Sequence, residues 1–429
     1  MAFGDVLKAA TARGPDQKIP GAVVMAADAS GKIIYSQAEG YTSVTPEEAK
    51  PMTIDTTFWI ASCTKLLTTI AALQCVEKGD LSLDADISNV LPEWEAPEIL
   101  TGFDDAGEPQ LKKATNHITL RQLLTHSSGM GYDFLSPELA RWRQWKGEPI
   151  GASPEPLTKR QFLPLIYEPG QGWSYSVAID WAGKMIERVN GGLRLGEHMK
   201  QYIWDPLGMT STGFRLAEHE NIRDHLCATT ARTPTGELVA SAPYNFQNPA
   251  DDLGGGGLHS SPADYIKVLI SLLKNDGTLL RPETVKTMFE PQLPDPKHLL
   301  AMTQDPTGGP MFRGGVNSDA WNWGLGGILT TDDVEGVCKK GTLSWGGLPN
   351  LVSYSQPSNA LAAFAMSCER WLGMKPSSRP FLAFPSCEAM LTLASKHSSS
   401  GGLTRRAAIV EFTLRRYFHQ EIPRRWRLL

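Results

Sequence analysis

The sequence predicts an α/β fold in which one antiparallel sheet, built from both ends of the chain, packs against a large helical region between residues 80 and 320. Three observations lead there. Residues 21–26 (Gly-Ala-Val-Val-Met-Ala) and 33–37, with Ile33, Ile34 and Tyr35, are β-prone runs joined by an Asp28-Ala-Ser-Gly31 turn, which makes a hairpin. Near the other end, Leu351, Val352 and Tyr354 precede a Pro357-Ser-Asn359 turn, and Leu361 to Met366 follow it, so 349–367 holds two more strands, with 323–330 as another. Between these ends, helical spacing alternates with Pro-Gly, Gly-Gly and Asn-Asp-Gly breaks.

Taken in order, the first helix expected is 63–78. Leu66, Ile70, Leu73 and Val76 recur at three- and four-residue spacing before Gly79 stops it. Thr119 can cap a second, over 119–125, whose Leu120, Leu123 and Leu124 face inward. Further helices are expected at 159–167, 178–189, 194–203, 262–274 and 282–289. No internal repeat interrupts this order. The catalytic unit is expected over 1–396, with 397–429 as a separate basic tail. There Arg405, Arg406, Arg415, Arg416, Arg424, Arg425 and Arg427 stand against Glu411 and Glu421, an incidental extension in its blander reading.

Composition narrows the function classes. The 429 residues are 41% apolar and 20% charged, ordinary for a folded chain rather than a disordered one. The 40 glycines and 30 prolines predict many turns and long loops. A net charge of −5 argues against nucleic acid, which needs a basic face. No stretch offers eighteen consecutive apolar residues for a membrane span. The first twenty residues lack the apolar run of a secretory signal, so a cytoplasmic location is expected. Cys63, Cys75, Cys227, Cys338, Cys368 and Cys387 show no paired spacing and are expected to be buried thiols. None of the nine histidines forms a His-x-His or His-Glu-x-x-His pattern, and neither a metal nor a cofactor is expected.

The chemistry concentrates in Trp59-Ile-Ala-Ser62-Cys-Thr-Lys65-Leu-Leu67. A serine three residues before a lysine at a helix start places both side chains on one face, one turn apart. A serine hydroxyl attacks poorly unless a neighbour takes its proton, and a lysine or tyrosine can do so. Backbone N–H groups at the helix start favour developing negative charge. By itself Ser-x-x-Lys also fits a helix cap followed by a solvated charge, but here the motif opens an apolar helix. Two further segments supply what such a site needs. Glu168-Pro-Gly-Gln-Gly-Trp-Ser-Tyr175-Ser176 is a turn that delivers a tyrosine, and Gly341-Thr-Leu-Ser-Trp345-Gly346-Gly347-Leu348 is a glycine-bearing strand that a substrate could approach closely. Read blandly, these are a core tyrosine and a bulge.

Taken together, Ser62-x-x-Lys65, Tyr175-Ser176 and Trp345-Gly346-Gly347 resemble the class C β-lactamase and penicillin-binding-protein-like serine hydrolase superfamily. Leu124-Thr-His126-Ser-Ser-Gly129, Asp205-Pro-Leu-Gly-Met209 and Gly254–Gly257 with Leu258, Ser260 and Asp264 are similar to segments that accompany the trio. The likeness runs from about residue 20 to 371. Within the superfamily, Leu66–Cys75 and Gly102-Phe-Asp-Asp-Ala-Gly107 resemble the fungal acyltransferases and transesterases of polyketide (statin-type) pathways. The resemblance implies a β-lactamase-like (transpeptidase-like) fold. It also implies acyl transfer from a thioester donor, with an acyl carrier domain as one candidate source, to an alcohol through a Ser62 acyl-enzyme. Lys65 and Tyr175 would move protons, and the Ser62 and Leu348 amides would hold the oxyanion. Trp59, Arg160, Tyr244, Trp345, Gly346, Gly347 and Trp371 fall at substrate-binding positions.

Three departures refine this expectation. Trp345 replaces the first residue of the Lys-Thr-Gly or His-Thr-Gly triplet of β-lactam-processing members, so the cation that holds a substrate carboxylate is missing. Val177 replaces the asparagine of Tyr-x-Asn. Trp59 replaces an arginine of the statin-type enzymes, which points to a different acceptor. All this favours bulky uncharged esters or thioesters over β-lactams. An esterase or lactone hydrolase with the same serine is the first alternative, and a catalytically silent binding module the second. A Ser-His-Asp site is not signalled, since Thr342-Leu-Ser344-Trp-Gly346 lacks the first glycine of a nucleophile elbow.

Overall fold

A computed structural model of the chain describes residues 3–371 apart from 15, 152–153, 243–248, 306–317, 336, 350, 358–360 and 368. Its main sheet has seven strands in the spatial order Ile33–Gly40, Gly21–Asp28, Leu361–Ser367, Leu351–Gln356, Leu343–Gly347, Ile328–Thr330 and Trp321–Trp323, every neighbouring pair antiparallel. Strands from early and late in the sequence meet inside it, as its second and third strands, where Ala22 faces Ser367 and Asp28 faces Leu361. The Gly21–Asp28 strand is buried along nearly its whole length, which is why it reads as a continuous apolar run instead of an alternating one.

The helical region lies between these two halves of the sheet, as expected, but it carries small strands of its own. A hairpin joins Glu98–Phe103 to Pro109–Lys113, and Thr230–Arg232 pairs with Leu238–Ala240. Four helices match their predicted spans closely: Thr64–Lys78, Ala178–Val189, Pro262–Lys274 and Pro282–Met288. At Leu120–Leu124 the Thr119 hydroxyl accepts from the Gln122 N–H while Gln122 returns its side-chain oxygen to the Thr119 N–H, a reciprocal cap.

Three predicted elements differ. The helix expected at 159–167 stops at Arg160, because Pro164 cannot donate and its ring opposes a helical predecessor. That at 194–203 is a short α-helix, Leu195–Met199, widening into a π-turn over Lys200–Trp204. The single strand at 323–330 is instead two, Trp321–Trp323 and Ile328–Thr330, split by glycines that admit neighbouring backbone. A Cβ on Gly324 would meet the Met288 carbonyl at 2.5 Å, and one on Gly327 the Ser344 carbonyl at 2.7 Å. Cys63, Cys75, Cys227 and Cys338 are free and buried, as expected; Cys368 and Cys387 lie outside the described residues. Among the described residues no helix is long and apolar enough to cross a membrane, and no cluster of metal-ligating side chains is present.

Candidate active site

Ser62 sits on a tight turn. The strand Phe58–Trp59 ends at Ile60, a single 3-10 turn over Ala61–Cys63 follows, and the chain then enters the helix Thr64–Lys78, buried from Thr64 to Cys75. Ala61 takes φ 43°, in the left-handed region that a side chain enters at a cost of about 1–2 kcal/mol. Such strain persists only where surrounding contacts impose it. The turn turns Ser62 outward, half-buried, while its neighbours Ala61 and Cys63 are buried. Burial also pushes the Cys63 thiol up to about 12, against the pull of the Lys65 charge, so this cysteine stays protonated. Of Ser62 and Cys63, only the serine is presented to the outside of the turn.

One turn on, Lys65 is 1% exposed. Its Nζ donates to the Gly255 carbonyl at 2.6 Å and to the Tyr132 hydroxyl at 3.2 Å, with a longer contact of 3.5 Å to Ser62 Oγ. It also lies 4.6 Å from the centre of the Tyr175 ring. Buried ammonium groups are costly unless every hydrogen finds an acceptor, and here the shortest of the three contacts is to the surrounding backbone.

That backbone is the glycine run 254–257. The Gly254 carbonyl accepts from Thr68 Oγ1 at 2.7 Å, and the Gly256 carbonyl from Trp59 Nε1, also at 2.7 Å. The Leu258 N–H donates to Thr64 Oγ1, and its carbonyl receives the Ile60 N–H. Side chains would not fit: a Cβ on Gly254 would meet Thr68 at 2.9 Å, and one on Gly255 would meet Asp180 at 2.6 Å. The run is therefore a backbone clamp that fixes Trp59, Ser62 and Lys65 relative to one another.

Tyr175 approaches from the opposite side and is 8% exposed. The Trp345 indole N–H donates to its hydroxyl at 3.1 Å. In place of the missing Lys-Thr-Gly cation, the strand thus supplies a neutral donor aimed at the tyrosine. Behind it, His126 Nδ1 lies 3.0 Å from Ser176 Oγ, and the His126 carbonyl accepts from the Ser174 N–H and the Tyr167 hydroxyl. Burial, reinforced by the Lys65 charge, holds His126 well below its ordinary value, so the imidazole is neutral. It braces the tyrosine turn. The rings of Tyr175, Trp345, Trp323 and His126 pack at 4.7–5.1 Å into one aromatic wall.

The strand Leu343–Gly347 closes the site. A Cβ on Gly347 would meet the Ile60 carbonyl at 2.5 Å, so this glycine lets the strand lie against the Ser62 turn, while one on Gly346 would meet the Leu351 carbonyl of the neighbouring strand at 2.7 Å. Leu348 follows directly and is 45% exposed. Ser62, Lys65, Tyr175, Trp59, Trp345, Gly346 and Gly347 thus belong to one connected constellation.

The structure places Arg160 in a buried ion-pair network. It is 4% exposed, and its guanidinium is consumed internally by Asp133 Oδ2 at 3.0 Å and the Pro149 and Gly151 carbonyls at 2.6 and 2.8 Å. Arg143 donates to the same Asp133 oxygen at 3.0 Å and also to the Arg160 carbonyl. Arg160 thereby ties together the segments on either side of the helix Pro137–Trp145. Tyr244 and the side chain of Trp371 lie outside the described residues; the Trp371 backbone closes a short strand, Glu369–Trp371, parallel to Thr230–Arg232. Tyr132 is the residue sequence reasoning missed. Its signal was its place just after the Leu124–Gly129 segment, although nothing local announces a contact across 67 residues with Lys65.

Comparison with known proteins follows the same lines. Residues 6–367 match the Beta-lactamase family. The chain is 40% identical to a lovastatin esterase of Penicillium rubens, over 80% of this chain and 87% of that protein. It is 37% identical to a monacolin J acid methylbutanoyltransferase of Aspergillus terreus, over 86% and 94% respectively. Among solved structures, a simvastatin synthase mutant of Aspergillus terreus superposes with a TM-score of 0.77 at 35% identity, over 92% of this chain and 96% of that one.

Proposed function

The chain belongs to the β-lactamase family, and from that premise we propose that it is a serine acyltransferase of secondary-metabolite (polyketide) biosynthesis, moving an acyl group from a thioester to an alcohol through a Ser62 ester. The observation that carries this reading is the buried Lys65 ammonium, which reaches Ser62, Tyr132 and Gly255 while lying over the Tyr175 ring. Similarity to the methylbutanoyltransferase supports the reaction class.

In the first half-reaction Ser62 Oγ attacks the thioester carbonyl, and its proton passes to the Tyr175 hydroxyl as phenolate, with Lys65 stabilising that charge. The Ser62 and Leu348 N–H groups receive the oxyanion. Collapse breaks the C–S bond, the thiol leaves with the proton, and the Ser62 ester remains. An acceptor alcohol then attacks the ester, loses its proton to the same tyrosine, and returns Ser62 as a hydroxyl. Tyr132 keeps the ammonium oriented throughout. Trp59, Trp345, Gly346 and Gly347 line the acyl and acceptor approach, and the missing cation suits an uncharged acyl chain.

The donor is a small thioester or the pantetheine arm of an acyl carrier domain. No cofactor enters the scheme. Nucleic acid and membrane are not partners, the catalytic unit spans 1–396 with the 397–429 tail incidental to it, and the enzyme acts in the cytoplasm. Hydrolysis is the second reading, favoured by the 40% identity to the lovastatin esterase. Chasing the acyl-enzyme separates the two. Release that depends on an added hydroxylated polyketide means transfer, and equally fast loss in buffer alone means an esterase.

A further inference from the structure

Lys65 is a buried cation for which, among the described residues, no carboxylate stands within ion-pair distance. Isolated buried charges are expensive, and a lysine without a counter-charge readily loses its proton. Asp180 answers this. It lies in the first turn of the helix Ala178–Val189, 6% exposed, five residues after Tyr175. Its Oδ1 accepts the Gly255 N–H at 2.8 Å, and the carbonyl of that same glycine receives Lys65 Nζ at 2.6 Å. Gly255 is thus hydrogen-bonded to a buried carboxylate on one side and to a buried ammonium on the other. The carboxyl packs so closely against its Cα that a Cβ would lie 2.6 Å from Oδ2.

We propose that Asp180 is the counter-charge and positioning residue of Lys65, holding the lysine as an ammonium through Gly255 so that Tyr175 serves as the proton acceptor for Ser62. The inference rests on Ser62 and Lys65 being the reacting pair. Burial is the largest influence on the Asp180 carboxyl and leaves it above its ordinary value, although the Lys65 charge and the Gly255 N–H pull it down. The neighbouring charges on the same helix are already matched: Lys184 pairs with Glu187 at 2.5 Å and with Asp251 at 2.6 Å. Among the described residues, Lys65 also meets or faces Tyr132, Tyr175, the protonated Cys63 and the neutral His126. Asp180 is thus the carboxyl group that the Gly255 bridge links to the Lys65 charge.

The test is Asp180→Asn, which keeps an oxygen for the Gly255 N–H and removes the charge. The rate of Ser62 acylation by a short acyl-N-acetylcysteamine thioester is measured against pH. Loss of a nearby anion favours the deprotonated forms of both lysine and tyrosine, so the acid limb should move to lower pH by about one unit, with KM little changed. A slower enzyme with an unmoved acid limb would overturn the proposal, because a purely structural role lowers the rate without touching the profile. Should Asp180→Asn fold poorly, a stability cycle decides. Lys65→Met strands a buried carboxylate and should lower stability, and Asp180→Asn added to it should recover part of that loss. Strict additivity overturns the proposal. Absence of a Ser62 adduct in the unaltered protein would count against the acyl-enzyme itself, which keeps the two failures apart.

Discussion

Replacing Asp133 with alanine removes the acceptor shared by two buried arginines. Arg143 is 2% exposed and Arg160 4% exposed, and each places one N–H 3.0 Å from the same carboxylate oxygen. The other oxygen accepts the Gly151 N–H at 3.2 Å. After the substitution the guanidinium groups keep their backbone carbonyls, and their remaining anion is Glu148, itself 41% exposed. Removing one partner of a buried ion pair costs about 3–5 kcal/mol, since the other charge stays buried. Urea unfolding should therefore show a loss in that range. Because Tyr132 precedes Asp133, acylation should slow as well, through looser placement of the hydroxyl that meets Lys65. Arg160→Met should follow the same pattern, losing stability with the acceptor KM nearly unchanged. A loss below about 1 kcal/mol for Asp133→Ala would refute the network's role, and a large rise in acceptor KM for Arg160→Met would restore Arg160 as a substrate contact.

Two other predictions follow from the same physics. Gly347→Ala would drive a Cβ to within 2.5 Å of the Ile60 carbonyl, spreading the strand from the Ser62 turn, and acylation should fall by about 100-fold with a modest drop in stability; near-normal acylation would show that this approach is not needed. Acid should also destabilise the fold. Burial holds His198 and His259 down to about 4 and His126 well below 6.5, so below that ordinary value the unfolded chain binds protons that the folded one does not. Stability from these groups is complete above about pH 7 and is lost as pH falls, by about 2 kcal/mol for each of the first two between pH 7 and 5. Unfolding midpoints that stay level across this range would contradict it.

What could be read from the sequence divides by the range of the interactions involved. Ser62 and Lys65 were legible because one helical turn fixes their relation, and Thr64–Lys78 and Ala178–Val189 because their apolar spacing is strong. The pairing of the two chain ends followed from β-prone runs at 21–26 and 351–366. Tyr132 was not legible, because a loop brings it to Lys65 and no periodicity reports on loops. The burial of Arg160 was not legible for a related reason: its partners Asp133, Pro149 and Gly151 lie in the irregular stretches flanking a helix, so a buried arginine and an exposed one look alike in sequence. The Glu98–Phe103 hairpin escaped notice because its second strand, Pro109–Lys113, is mostly exposed and shows no apolar alternation. Phe3, Leu7 and Ala10, which bury one face of the helix Phe3–Thr11, did carry a signal, but it spans barely two turns.

The central claim is the covalent ester on Ser62, and intact-protein mass spectrometry after mixing with short acyl thioesters tests it most directly. The account predicts one added acyl mass on the unaltered protein, none on Ser62→Ala, and the label on the peptide that holds Ser62. Acylation that persists in Ser62→Ala, or turnover unchanged by that substitution, would contradict it.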